Sequence, residues 1–406
     1  MLKICCAMKF RELVVVFSLL AMLGCSGRHD GLECPTVVVD PNSRDVIRMS
    51  DFVERVEYIP LEKTDECLIR EVSRVFELDN ELIVVDKKDK SIFFFDRSGH
   101  YRRKISKRGR AGNEYVSMDA VMLDAVRRQL IVFDLMSKKL LFYSLDGVCE
   151  KVVPRFGVFE DRYIRDMINL PDGNFLCYSY LHGANQNYGT DGVWEVSADG
   201  EFVRWIQKFD LIHPAATVDY AFFHREDGTV GWMCVEYTED YYYDEAKVRP
   251  LLAYEVDGPT AMDFSGMNNN DYAFRWAKGE MFNDRRYTQY RGDCVFTCWG
   301  SEVENHRYYS LYDKRTGRCR VGELDYAFGD TELLPSGFNR FSKEPVLNVV
   351  DTNMANVLVA PVYPAMLLNN EKSCRILDGV LDRLGIGGSE EIVAELNPVL
   401  QLMYLK

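Results

Sequence analysis

The chain has 406 residues, 47% hydrophobic and 13% aromatic, with 23 Tyr and 23 Phe, which suits a sizeable core built from sheet. Its formal net charge of −14 repels phosphate backbones and excludes nucleic acid as a natural partner. No run of like charge is long enough to form an acidic tail.

In chain order, an address comes first. Lys9 and Arg11 precede the apolar run Leu13 to Leu23, which has the length of a signal-peptide core and is too short to span a bilayer. Residues 1–7 stand ahead of Met8 as an extra upstream start. Gly24-Cys25 closes the run and resembles a bacterial lipobox, in which the Cys is acylated and becomes the new N-terminus. Met22 stands where that pattern usually has Leu. The competing reading is an ordinary signal peptide beside a cysteine. Expected boundaries are a lipoprotein signal peptide over 1–24, a lipid anchor and tether over 25–50, and one domain over 51–406.

Val53 to Leu61 (VERVEYIPL) reads as a stray strand. Two stretches then align without a gap at an offset of 48 residues. Glu81 to Asp86, Ser91 to Asp96 and Ser98-Gly99 match Gln129 to Asp134, Lys139 to Ser144 and Asp146-Gly147. Each unit is strand, polar turn, strand, Gly turn, strand. The third strands are His100 to Ile105 and Val148 to Val153. Such units hide their oily faces only by stacking around a ring, as propeller blades do.

Weaker copies begin at Gly173, Gly228 and Gly292, with Asp199-Gly200, Asp257-Gly258 and Thr316-Gly317 as their hairpin turns. A sixth copy takes Val346 to Val350, Ala355 to Ala360 and Pro398 to Leu405, and Val53 to Leu61 is the natural strand to close the ring. Lys372 to Leu384 has helical spacing and ends at Gly385. The expected fold is all-β: a six-bladed β-propeller with a signal peptide and a short C-terminal helix insertion.

Several residues carry a family resemblance: Tyr58-Ile-Pro-Leu-Glu62, Cys67-Leu-Ile69, both clean repeats, Gly109-Arg-Ala-Gly-Asn-Glu-Tyr115 and Asn397-Pro398. They resemble the six-bladed β-propeller lipoproteins of Bacteroidota across nearly the whole mature chain. That family usually shows Gly-x-Gly-Pro-Gly-Glu-Tyr in the loop after its first blade. Here Ala111, Gly112 and Asn113 depart from it while Gly109, Glu114 and Tyr115 stand. More distantly the repeats are similar to NHL-type propellers, which include binders and a few lyases or lactonases. The resemblance implies fold and address and no activity. Surface export in that group often follows a dense acidic cluster behind the lipid. Ser26 to Asp30 lacks one, which favours the periplasmic face of the envelope over the cell surface.

Two loops are candidate ligand sites. The first offers Arg108, Arg110, Glu114 and Tyr115; the bland reading is an inter-blade turn whose glycines serve backbone geometry. It lacks Gly-Lys-Ser/Thr and a following helix, so it is no phosphate loop. The second set is Tyr241, Tyr242 and Tyr243 with Tyr272 and Trp276. Flat aromatic faces near carboxylates suit a sugar or peptide; the bland reading is packing of an inserted hairpin.

No metal site is expected, because the six His are scattered and Cys294 and Cys298 lack two further partners. Calcium keeps a weak claim through Asn268 to Asp271 and Glu236 to Asp244, neither of which has the spacing of a calcium loop. No other cofactor is indicated. No Gly-x-Ser-x-Gly elbow is present, and no catalytic residue can be chosen. Nine cysteines follow Cys25, an odd number at irregular spacing, and read as small buried residues, with one or two bridges left open.

The functional expectation is an exported, lipid-anchored binding or scaffold module for a glycan, a peptide or an envelope protein. The alternative is an exported lyase or hydrolase with its site in the central channel. A purely structural partner in an envelope assembly is a third reading.

Overall fold

In a computed structural model, the described residues are 34–43, 45–156, 162–182, 188–208, 221–233, 239–244, 246–258, 271, 284–301, 306–338, 344–368, 370–386, 393 and 395–406. They form a six-bladed β-propeller within Pro35–Lys406. The two clean repeats show why. Glu81–Asp86 and Ser91–Asp96 are almost entirely buried, which a sheet with one wet face does not permit. Leu82, Val84, Phe93 and Phe95 point into one core; Ile83, Val85, Ile92 and Phe94 point into the next. The period-2 alternation thus feeds two cores from each blade.

Blade 1 runs from its inner strand Arg74–Leu78 outward to Tyr101–Ile105. Blade 2 runs from Ala120–Asp124 to Cys149–Pro154, and blade 3 from Arg162–Asn169 to Phe202–Lys208. Blade 4 runs from Phe222–His224 to Lys247–Val256, and blade 5 from Asp284–Arg291 to Arg318–Asp325. Blade 6 has three strands: Val357–Val362 inside, Val399–Leu405 next, and the N-terminal Val53–Pro60 outside. The ring therefore closes with the strand expected to close it. An apolar core fills each of the six gaps between neighbouring blades.

The closure is sewn by Asn397. Its carboxamide donates to the carbonyls of Glu62 (2.9 Å) and Cys67 (2.9 Å) and accepts from the Ile69 amide (3.0 Å). Gly99 completes the joint. Its φ is +86°, and a Cβ there would sit 2.0 Å from the Pro60 carbonyl oxygen, so only glycine fits this turn.

Three expectations change. Residues 36–39 and 45–48, read as tether, are strands. Thr36–Val39 pairs in parallel with the outer strand of blade 4, and Asp45–Arg48 with that of blade 5. Val37, Val39 and Ile47 enter the cores, which is why so short a segment holds. Gly322 permits the approach, since a Cβ there would lie 1.8 Å from the Asp45 carbonyl oxygen.

In blade 4 the outer hairpin turns between Asp244 and Lys247, not at Asp257-Gly258. Tyr241, Tyr242 and Tyr243 thus belong to the third strand, Glu239–Asp244, and not to an inserted hairpin. In blade 6 the inner strand is Val357–Val362; Pro345–Val346 pairs with Gly337–Phe338 outside the blade.

The expected helix is Glu371–Arg383, inserted between the first two strands of blade 6. The Asn370 side chain caps its N-terminus by accepting from Ser373 N at 2.9 Å. Leu377, Val380 and Leu381 pack it against Leu334, Val362 and Val399.

Candidate functional site: the channel mouth

Inner strands carry charge into the ring axis. Arg74 of blade 1 has a side chain only 4% exposed, and that of Asp166 in blade 3 is 1% exposed; they pair at 2.9 Å. Arg74 also donates to Val121 O of blade 2 at 2.8 Å. Asp166 accepts from the amides of Ala221 (2.9 Å) and Phe222 (3.0 Å) at blade 4. Asp351–Thr352 pairs in parallel with Arg74 and Val75 on the channel side of blade 1.

There Asp351 lies 3.5 Å from Arg74 and 3.8 Å from Arg291 of blade 5. Arg291 donates to Val357 O of blade 6 (3.2 Å) and to Thr352 O (3.1 Å). Two arginines and two aspartates thereby tie all six blades across the axis. Arg74, Asp166 and Arg291 are each hydrogen-bonded, and Asp351 faces both guanidinium groups, so every buried charge has an opposite charge or a backbone partner. A small void of about 40 Å³ beside Arg74 and Asp351 is what remains of the channel at that depth.

Above this network the channel widens to a cavity of about 390 Å³ at the end where the inner strands finish. Blade 2 supplies Leu123, Asp124 and Arg127, blade 3 Asn169, Leu170 and Pro171, blade 4 His224, Arg225 and Glu226, and blade 5 Tyr290 and Arg291. Residues 352–355 complete the wall.

The charged groups are held in place. Asp124 binds the Arg127 guanidinium at 2.7 Å. Arg225 donates to the Thr229 hydroxyl (2.8 Å), pairs with Asp227 (2.9 Å) and lies 4.2 Å over the Tyr242 ring. Glu226 accepts from Gly292 N at 2.8 Å. His224 faces the water of the cavity but is hemmed in by the walls. That burial lowers its pKa below the usual histidine value, against the pull of Asp351 and with the push of Arg74. A neutral imidazole at this position has one nitrogen that donates and one that accepts.

A pocket of roughly 300–1,000 Å³ with an apolar lining and a few fixed polar groups is the form small-molecule sites take. Leu123, Leu170, Pro171 and Met354 give this one its apolar surface. Among the described residues, no group of three or more His, Cys, Asp or Glu is placed to hold a metal ion.

The model of the family described as "Domain of unknown function (DUF4934)" matches residues 35–403. The chain belongs to that family. No curated protein matches it in sequence. Its fold resembles that of a Bacteroides fragilis protein assigned as exported, with TM-score 0.71 and 17% identity, covering 91% of this chain and 99% of that one. A DUF4221 family member from Bacteroides vulgatus gives TM-score 0.54 and 9% identity, covering 87% and 97%. At such identities the likeness concerns fold alone.

In this DUF4934 chain the first loop candidate lies away from the mouth. The Gly109–Tyr115 loop joins the outer strand of blade 1 to the inner strand of blade 2, at the end where inner strands begin. Tyr115 is fully buried, donates to Lys90 O (3.0 Å) and accepts from Lys107 N (3.1 Å); burial pushes its pKa up to about 12. Glu114 accepts from Ala111 N at 2.9 Å, and Arg108 lies 3.6 Å from Asp89. Arg110 is exposed.

Tyr241 is buried and stacks on Trp232, and Tyr243 receives a hydrogen bond from Arg204. Tyr242 alone of these touches the mouth, as the ring beneath Arg225. Tyr272, Trp276 and Cys25 lie outside the described residues.

Of the acidic stretch weighed for calcium, Asp240 is spent on Arg285, which it binds at 2.6 Å in the core. His224, Arg225, Arg127 and the axial charges were not chosen from sequence. Arg74 opens the strand RVFEL and Asp166 lies among other polar residues in RYIRDMIN, so neither stands out in the sequence as an axial charge.

Proposed function

We propose that this chain is an exported, lipid-anchored propeller that captures a small ligand at the wide mouth of its channel. The observation behind this reading is the cavity of about 390 Å³ lined by four blades and backed by the axial charges. It is a blind pocket with pre-oriented polar groups, which suits binding better than passage. The signal-like run ending at Cys25, and the exported assignment of the Bacteroides fragilis fold relative, support an envelope location. The periplasmic face is favoured, and a sugar or a peptide fragment of the envelope is the fitting class of ligand.

The test is a thermal-shift screen of glycans, peptides and metabolites on the mature chain, with and without calcium. A ligand at a hundred times its Kd adds about 2.7 kcal/mol of apparent stability. The shift should vanish in Arg127→Ala and His224→Ala. A shift unchanged in both variants overturns the location of the site. The lyase or hydrolase alternative rests on one feature, the imidazole of His224 in the wall of the mouth, and is read by turnover of any ligand found.

A further inference from the structure

We propose that the mouth selects a short uncharged sugar, and that Asn169 binds one of its hydroxyl groups. The inference rests on the mouth being the ligand site and names what that site takes. Asn169 ends the inner strand of blade 3 and lines both the cavity and the small void beneath it. Its Oδ1 is buried and has no hydrogen-bond partner among the described residues. A buried acceptor without a donor is costly, and a ligand that brings a donor to this depth removes the cost. A hydroxyl can do so. A carboxylate cannot, because it only accepts.

The charges of the wall have partners already. Asp124 accepts from Arg127 through both oxygens, from the backbone N–H at 2.8 Å and from Nη1 at 2.7 Å. Arg225 pairs with Asp227 at 2.9 Å, and Arg291 lies 3.8 Å from Asp351. Glu226 accepts from Gly292 N and sits in the field of Arg291. A ligand carboxylate or ammonium would lose its water here without gaining an unmatched opposite charge. A sugar hydroxyl suits the same wall, because it donates and accepts at once. It can donate to Asn169 Oδ1 and accept from the guanidinium N–H groups that Asp124 leaves unused on Arg127. Leu123, Leu170 and Pro171 offer apolar surface to the C–H face of a ring. At about 390 Å³ the cavity is at the small end for such sites, and the axial charges close it beneath, so the sugar is short and not a threaded chain.

The test is isothermal titration of the mature chain with glucose, galactose and mannose, beside glucuronate, galacturonate and dialanine. At least one neutral sugar should bind, about tenfold or more tighter than the uronates and dialanine, and Asn169→Leu should weaken it by about tenfold. The Asn169 carboxamide has no hydrogen bond to lose among the described residues, so this variant should keep the wild-type Tm. The wild-type preference for an uncharged ring tests the proposal even without the variant. Tighter binding of a uronate or of dialanine, abolished by Arg127→Ala, overturns the sugar assignment and leaves the mouth standing. No binding by any of these compounds overturns the sugar assignment as well. A neutral sugar held equally well by a folded Asn169→Leu overturns the role of Asn169. Binding that survives both Arg127→Ala and His224→Ala overturns the mouth and the inference together.

Discussion

Asn397→Ala should loosen the ring at its closure by an amount the structure fixes. Asn397 is 4% exposed and makes three hydrogen bonds to the backbone of residues 62–69. At a net of about 1 kcal/mol each, their loss costs about 3 kcal/mol. The carbonyl of Cys67 keeps a bond from Thr64 N, and the Glu62 side of the loop is exposed, so water limits the damage. With an unfolding entropy of about 2.1 cal/mol/K per residue, a domain of this length loses roughly 4 °C in Tm.

Asn397→Asp is the sharper probe. It preserves shape and the acceptor for Ile69 N but aims a carboxylate at two carbonyl oxygens. It should be worse than alanine by a further 1–3 kcal/mol or so. The gap should narrow in acid as the carboxyl takes a proton. Urea unfolding of the three proteins across pH measures this. An aspartate variant more stable than the alanine variant at neutral pH would show that the amide does not donate, and would refute the latch.

Arg74→Met leaves Asp166 charged and buried, costing about 3–5 kcal/mol, whereas Arg74→Met with Asp166→Asn should recover part of that; a double-mutant cycle by denaturant unfolding measures the coupling. Gly322→Val drives a side chain into the Asp45 carbonyl, so amides of residues 45–48 should lose hydrogen-exchange protection while those of blade 2 keep theirs. His224 titrates below its unfolded value, so the unfolded chain takes up the proton first. Stability should therefore fall as pH drops through about 6.5 towards the folded pKa, and His224→Gln should flatten that limb. Burial pushes Cys67 up to about 12, so it should stay inert to thiol reagents at pH 8, as a labelling time course on the folded protein measures.

The hairpins were legible because each is written in local chemistry. Gly99, Gly147 and Gly200 sit at outer hairpin turns with positive φ, and apolar runs flank them. Blade 4 misled because Asp257-Gly258 has the same form as those turns, while the true turn places Ala246 at φ +62°. The inner strand Ala120–Asp124 carries no such punctuation, being a plain apolar run. Thr36–Val39 and Asp45–Arg48 are four residues long and owe their strand state to edges supplied more than two hundred residues later. The mouth was the least legible part. Its polar groups come one or two per blade, and Arg74 meets Asp166 across 92 positions, a pairing that only the closed ring defines.

The seams along the rim also set a timetable. Thr36 pairs with Ala253, Asp45 with Gly322 and Val53 with Leu405, so the leading segment meets its partners only as they are made. As the chain is made, these three strands must wait, unpaired and partly oily, for nearly all of it to arrive. Contacts of such separation form slowly, and waiting strand edges invite strangers. A chain stopped before residue 399 has nothing between Val357–Val362 and Val53–Pro60, so a release a few residues early should leave an open, sticky ring instead of a slightly shortened one.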